Sequence, residues 1–118
     1  MQFLLLSGDL MLMSAAQGAA DRHGATVDVV GNVTDALARC AADEVALIAI
    51  DLRLPGLDVA DAVARLRAAT PATTFLAGGP HVQRDSLAAA VEAGCDEVVT
   101  RGEFERRLDA SVAQLVAR

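Results

Sequence analysis

The feature that most constrains this chain is a regular alternation of short apolar runs with longer amphipathic segments. Continuous apolar runs of four to six residues are typical of strands buried on both faces, and the segments between them carry apolar residues at helical spacing. The predicted strands cover residues 3–6, 26–30, 45–50, 73–77 and 97–100. Because strands and helices alternate along the whole chain, we predict a doubly wound parallel sheet with helices on both faces.

Capping residues and helix breakers indicate where the helices begin and end. Asn32 or Thr34 and Asp58 are predicted N-caps, whereas Gly24 and Gly94 are predicted to terminate helices. The predicted helices cover residues 10–22, 32–42, 58–69, 85–93 and 103–116. Each helix is long enough to connect two parallel strands, as this architecture requires.

Composition excludes several classes of function. No apolar run reaches the roughly 18–20 residues of a membrane span, and Asp9 interrupts the first run, which also lacks the basic start of a signal peptide. The net charge is −6, and the chain has no tryptophan, no tyrosine and no basic cluster of more than two residues, so we expect no direct binding of nucleic acid. Cys40 and Cys95 lack metal-ligand spacing and are predicted to be buried free thiols. We expect one cytoplasmic domain over residues 1–118, with no membrane partner.

The most informative polar residue is Asp51, which follows the apolar run "VALIAI" and precedes Pro55-Gly56. In open parallel sheets, ligands bind beyond the carboxyl ends of the strands. The chemistry is therefore expected in the segments that follow the strands, which read "SGD", "GN", "DLRLPG", "GGPH" and "TRG". No pair of nucleophile and base recurs among them, so we do not expect an enzyme.

Two motifs, "LIAIDLRLPGLD" and "AAAVEAGCDEVVTRG", resemble the receiver domains of bacterial response regulators, and the resemblance extends over essentially the whole chain. It implies a flavodoxin-like sheet of strand order 2-1-3-4-5, with two helices on one face and three on the other. It also implies that Asp51 matches the aspartate that receivers phosphorylate. That reaction requires Mg²⁺, which binds oxygen ligands and neutralises charge on the phosphoryl group.

The sequence departs from the receiver pattern at most positions that support this chemistry. The acidic pair after the first strand falls on Ser7 and Gly8, with Asp9 one position late. The hydroxyl residue after the fourth strand falls on Gly79, and the lysine after the fifth strand falls on Arg101. Any metal site formed by Asp9 and Asp51 is expected to be weak, and no cofactor is expected unless Mg²⁺ binds in a working receiver.

The departures favour a degenerate receiver, a two-component signalling module that binds another protein without depending on phosphorylation. Because a guanidinium suits bidentate carboxylate pairing, we predict that Arg101 pairs with Asp51, directly or through one water, and fixes the loop after the fifth strand. Arg53 is either a second partner of Asp51 or solvated. His81, without a second histidine nearby, is expected to be an exposed loop residue.

The resemblance also implies a surface for protein partners, formed by the fourth helix, the fifth strand and the fifth helix. The residues expected there include Leu87, Ala88, Val91 and Val98. Val98 stands where receivers often carry an aromatic residue that reports activation. The expected partners are a histidine kinase, an output domain or a second copy of the chain as a homodimer.

Two alternatives remain open from the sequence. One is a working receiver that is phosphorylated on Asp51 with Mg²⁺. The other is a cobalamin-binding domain, since "LAGGPH" and the segment after it also resemble the Gly-Gly loop of that class. Cobalamin domains carry an Asp-x-His-x-x-Gly loop after the first strand, and the nearest approximation here, Asp21-Arg22-His23, lacks the glycine and ends the first helix.

Overall fold

A computed structural model describes residues 2–117 and contains five parallel strands and five helices in strict alternation. The elements are β1 (Gln2–Leu6), α1 (Leu10–His23), β2 (Thr26–Val30), α2 (Val33–Ala42), β3 (Leu47–Asp51), α3 (Val59–Ala69), β4 (Thr74–Gly79), α4 (Arg84–Glu92), β5 (Glu97–Thr100) and α5 (Arg101–Ala117). The sheet order is β2-β1-β3-β4-β5. The predicted flavodoxin-like fold is confirmed.

The alternation of side chains along the central strands divides the core into two layers. Leu4, Leu6, Ile48 and Ile50 pack with residues of α2, α3 and α4. Leu5 and its neighbours Phe3, Leu47 and Ala49 pack on the opposite face with residues of α1 and α5. Three helices therefore cover one face and two cover the other, as predicted, and every residue of β3 is buried.

The predicted caps are confirmed in detail at several helix ends. The side chain of Asn32 accepts the Asp35 N–H, and the side chain of Asp58 accepts the Asp61 N–H. Gly24 ends α1 with a φ of 70°, a left-handed conformation in which a side chain is strained. Within residues 2–117, no helix combines the length and apolarity that would be needed to cross a membrane.

β3 begins at Leu47, two residues later than predicted, and the boundaries that matter for the site differ from the prediction at the carboxyl edge of the sheet. β3 extends to include Asp51, and β4 extends through Gly78 and Gly79, so these glycines belong to a strand and not to a flexible loop. α5 begins at Arg101, directly after β5. The Thr100 hydroxyl donates to the Glu103 carboxylate at 3.1 Å, and an acidic residue in the first turn favours a helix start, so the predicted "TRG" loop does not form.

The two cysteines are free and half-buried. Desolvation raises the pKa of both thiols, and the pKa of Cys95 rises to about 11. Because the thiolate is the reactive form, this shift lowers the thiolate fraction of Cys95 further at neutral pH.

Candidate functional site at the carboxyl edge of the sheet

Asp51 is a buried carboxylate at the carboxyl end of the central strand, with 3% of its surface exposed. The hydroxyl of Ser7 donates to Asp51 Oδ2 at 2.7 Å. The backbone N–H of Arg53 donates to Asp51 Oδ1 at 3.0 Å. Each carboxylate oxygen therefore already has a donor from the protein, which offsets part of the desolvation of the charge.

Ser7 connects Asp51 to the start of α1. Its side chain is fully buried, and its Oγ accepts the backbone N–H of Asp9 at 3.0 Å while its O–H donates to Asp51. The Ser7 N–H donates to the Val30 carbonyl at 3.0 Å, which fixes the residue beside the end of β2. Sequence reasoning treated Ser7 only as a lost metal ligand. The hydrogen bond could have been predicted, because Ser7 is a small hydroxyl residue that follows β1, and β1 is paired with the strand that ends in Asp51.

Asp9 uses both of its carboxylate oxygens within the protein. Oδ1 accepts the N–H groups of Met11 and Leu12 at 2.8 and 3.3 Å, so Asp9 is the N-cap of α1. Oδ2 accepts from Arg101 Nη2 at 2.7 Å. The hydrogen bond from Leu12, helped by those from Met11 and Arg101, lowers the pKa of Asp9 below its ordinary value.

The predicted direct pairing of Arg101 with Asp51 is wrong, since the ion pair of Arg101 is with Asp9. Two physical reasons account for the difference. Arg101 is the first residue of α5, which packs against α1 and so brings the guanidinium to the N-terminus of α1. Asp51 is also deeply buried and already satisfied by Ser7, whereas the Asp9 side chain keeps 25% of its surface in solvent and is less desolvated. Arg101 Nη1 is buried and has no hydrogen-bond partner within residues 2–117.

Arg53 and Gly8 lie at the mouth of this site. The side chain of Arg53 is exposed, and the contact of this residue with Asp51 is made by its backbone N–H. Of the two predicted alternatives for Arg53, the structure therefore agrees with a solvated guanidinium. Gly8 is exposed, and a Cβ added there would approach only Leu54 Cδ1, at 3.9 Å. A larger residue therefore fits at position 8.

Gly78 and Gly79, at the end of β4, border the site on its other side. A Cβ on Gly79 would lie 3.0 Å from Leu52 Cβ, and the residue carries no hydroxyl that could reach a group on Asp51. A Cβ on Gly78 would lie 2.4 Å from Phe104 Cγ, so the aromatic ring occupies the space that any side chain at position 78 would need. Sequence reasoning missed this contact, because the partners lie 26 residues apart on different elements.

The acidic residues at this edge do not gather into a metal centre. Among residues 2–117, no group of three or more histidine, cysteine, aspartate or glutamate side chains is placed to hold a metal ion. Asp9 and Asp51 are linked through Ser7, with Asp9 contributing its backbone N–H and not its carboxylate to that link.

The residues proposed for a partner surface differ in exposure. Val91 is 61% exposed and Ala88 is also exposed on α4. Leu87 and Val98 are half-buried and pack against the core on the side of α2, α3 and α4. Ala88 and Val91 are therefore the members of this set that a partner could touch without rearrangement.

The two histidines lie apart from each other. His81 is exposed in the segment after β4, as expected. His23 is the last residue of α1, and its Nε2 lies 3.2 Å from Asp109 Oδ1 on α5. Since a helix that follows a parallel strand runs back toward the amino edge, His23 lies at the opposite end of the sheet from Gly78 and Gly79. The fragments that resembled a cobalamin site are therefore not brought together.

Comparison with known proteins identifies the fold. No family model and no curated protein matches the sequence. Solved structures do match in fold. The receiver domain of the TMAO respiratory system response regulator TorR has a TM-score of 0.84 and 20% identity, over 99% of this chain and 97% of that chain. The fold is that of response regulator receiver domains.

Two further structures have the same fold. A two-component response regulator from Clostridium difficile has a TM-score of 0.82 and 19% identity, over 99% of this chain and 96% of that chain. A response regulator from Burkholderia pseudomallei, solved with a phosphorylated aspartic acid, calcium ion and citrate, has a TM-score of 0.80 and 19% identity, over 98% of this chain and 68% of that chain.

Proposed function

We propose that this chain is a receiver-like signalling domain of two-component signal transduction that works as a protein-interaction module without phosphorylation. The observation that carries the proposal is the hydrogen bond from Ser7 to the buried carboxylate of Asp51, at 2.7 Å. This bond, together with the Arg53 N–H, holds the carboxylate within the protein. A carboxylate that attacks phosphorus must instead face an incoming phosphoryl group and its metal ion.

The electrostatics of the site support the same proposal. Mg²⁺ prefers near-octahedral coordination by oxygen, usually with carboxylates among its ligands. Here the carboxylate of Asp9 is bound by the N-terminus of α1 and by Arg101, and Ser7 offers a neutral hydroxyl. The guanidinium of Arg101 already neutralises the Asp9 carboxylate, which makes that carboxylate a weaker ligand for a metal ion.

The partner proposed is another signalling protein: a histidine kinase, an output domain or a second copy of this chain. The receiver domains with the same fold are described as parts of response regulators, which supports this class of partner. On this chain the exposed residues Ala88 and Val91 of α4 offer an apolar contact. In this function the domain has no catalytic role.

The proposal is tested by titrating the protein with Mg²⁺ and with beryllium fluoride, a mimic of the phosphoryl group, while NMR follows the amides of Asp51 and Arg53. We expect no site-specific shifts at millimolar Mg²⁺. The matched variant is Ser7→Asp combined with Gly8→Asp, which restores the acidic pair and should bind the ion if the scaffold is otherwise competent. Saturable Mg²⁺ binding by the unmodified protein would refute the proposal.

A working receiver is the second candidate, and one observation favours it. Asp9 and Asp51 both bond to the Ser7 side chain, so the two acidic residues lie at one place on the sheet edge. If Arg101 released Asp9, its carboxylate could turn toward Asp51. This candidate is tested by incubating the protein with acetyl phosphate and Mg²⁺ and measuring the mass of the intact protein. A working receiver should gain the mass of one phosphoryl group, and the Asp51→Asn variant should not.

A further inference from the structure

The contact between Phe104 and Gly78 stands directly beside Asp51. Asp51 on β3 is in register with Gly78 on β4, and the Leu52 N–H donates to the Gly78 carbonyl at 2.9 Å. Adjacent parallel strands lie about 4.8 Å apart. A group that covers Gly78 is therefore the immediate neighbour of the Asp51 side chain.

Asp51 and the aromatic ring also lie on the same face of the sheet. Ala49 and Leu76, each two residues before Asp51 and Gly78, belong to the core layer of α1 and α5. Since side chains two residues apart in a strand share a face, Asp51 points toward α1 and α5. The ring of Phe104 approaches Gly78 from that side and is fully buried.

Gly78 is the residue that makes this arrangement sterically acceptable. An added Cβ would lie 2.4, 2.5 and 2.8 Å from Phe104 Cγ, Cδ2 and Cδ1, distances at which the ring must move. The ring therefore rests on the backbone of β4, in the place where a side chain would otherwise stand. Val99, in register with Gly78 on the other side, packs into the same core layer.

The first turn of α5 holds two contacts at this edge. Arg101 and Phe104 are three residues apart in the helix and so lie on neighbouring parts of its surface. Arg101 binds Asp9 at the start of α1, and Phe104 packs on Gly78 beside Asp51. Movement of this one turn would release both contacts together.

We infer that the ring of Phe104, which lies on Gly78, closes the α5 side of the Asp51 site. Access of solvent to the Asp51 carboxylate is therefore controlled by the first turn of α5. A partner that displaced this turn would expose the carboxylate to solvent and to small reagents. The inference rests on the proposed function in one respect, namely that Asp51 is closed in the isolated domain.

The test is carboxyl labelling with a water-soluble carbodiimide and an amine, read by peptide mass spectrometry without metal or phosphodonor. Asp61, whose side chain is 59% exposed, is the internal reference for reagent activity. Asp51 should be labelled far more slowly than Asp61 in the parent protein. Phe104→Ala should raise the Asp51 rate by roughly tenfold or more, as expected when local opening becomes easier.

Three variants distinguish a closing ring from general loosening of the core. Leu108→Ala removes a buried side chain from the same layer one turn further along α5 and should leave Asp51 labelling unchanged. Phe104→Leu, which preserves folding better, should give an intermediate rate. Adding Gly78→Ala to Phe104→Ala places a methyl group in the vacated space and should lower the rate again.

The inference is overturned if Asp51 is labelled as fast as Asp61 in the parent, if both Phe104 variants leave the rate unchanged, or if Leu108→Ala raises it equally. Should Phe104→Ala fail to fold, Phe104→Leu decides. These outcomes are independent of the Mg²⁺ titration. Metal binding by the parent would contradict the proposed function but would not change the labelling comparison, which is made without metal. A failed labelling test would contradict the closing role of Phe104 but would not change the result of the Mg²⁺ titration.

Discussion

The guanidinium of Arg101 binds the carboxylate of Asp9 with 2.7 Å between Nη2 and Oδ2, and so joins the first residue of α5 to the N-cap of α1. The two helices pack together along the face of the sheet that Asp51 points toward. The pair therefore links the first turns of the two helices next to Ser7, which binds both Asp9 and Asp51.

Replacement of Arg101 by alanine should loosen the first turns of α1 and α5 together. The variant removes the ion pair with Asp9 and leaves the rest of the capping hydrogen bonds in place. Amide hydrogen exchange should become faster in both turns. Arg106→Ala is the matched control, because Arg106 lies on the same helix, has a side chain that is 73% exposed, and pairs with Glu103 one turn away. Equal exchange in both variants would contradict a link between the helices.

The stability of the fold should depend on the ionisation of Asp9. Its pKa in the folded protein is lowered from the ordinary value of 3.8, first by the hydrogen bond from Leu12. A lowered pKa means that the stabilisation is complete above that ordinary value and is lost as the pH falls through the lower, folded-state pKa. The free energy of unfolding should therefore decrease in this acidic range.

Asp9→Asn should be less stable than the parent at neutral pH and show a flatter decrease in the acidic range. Asp109 contributes in the same direction, since its pKa is lowered first by Arg22. Asp109→Asn consequently serves as the comparison, and each substitution should remove a separate part of the pH dependence. A profile for Asp9→Asn that is parallel to that of the parent would show that Asp9 titrates equally in the folded and unfolded chains.

Ser7→Ala should destabilise the protein by about 1–3 kcal/mol at neutral pH, the range for a buried polar group that loses a partner. The substitution removes the donor to Asp51 Oδ2 and the acceptor for the Asp9 N–H. Urea unfolding measures the change. Ser14→Ala, at an exposed position of α1, is the control and should have little effect. If Ser7→Ala and Asp51→Asn are additive, the hydrogen bond does not stabilise the fold.

Gly78→Ala should destabilise the fold by about 1–3 kcal/mol, because the added Cβ overlaps the ring of Phe104. Gly102→Ala is the matched control. Gly102 lies in α5, has open space around its Cβ position and does not have a positive φ, so alanine there should stabilise by about 0.4–1 kcal/mol. Thermal or urea unfolding distinguishes the two. A tolerated Gly78→Ala would mean that α5 moves freely over β4.

Much of the fold could be predicted from the sequence because the signals are local. The apolar runs determine the strands, and the residues at the helix ends, such as Asn32, Asp58 and Gly24, act through hydrogen bonds or φ values within a few residues of their own position. The placement of Asp51 at the carboxyl edge followed from the same reasoning, since a buried strand must deliver its next polar residue to that edge.

The tertiary structure alone decided which groups meet at that edge. Arg101 pairs with Asp9 and not with Asp51, because α5 begins without a loop and packs against α1. Phe104 covers Gly78. Arg67 donates to the carbonyls of Thr73 and Gly94 and stacks on the ring of Phe75. The spacing of these residues along the sequence does not indicate that they are in contact. The physical reason is that side-chain partners depend on the relative placement of whole helices and strands, which is set by packing of the entire core, whereas strands and caps depend on their immediate neighbours in the chain.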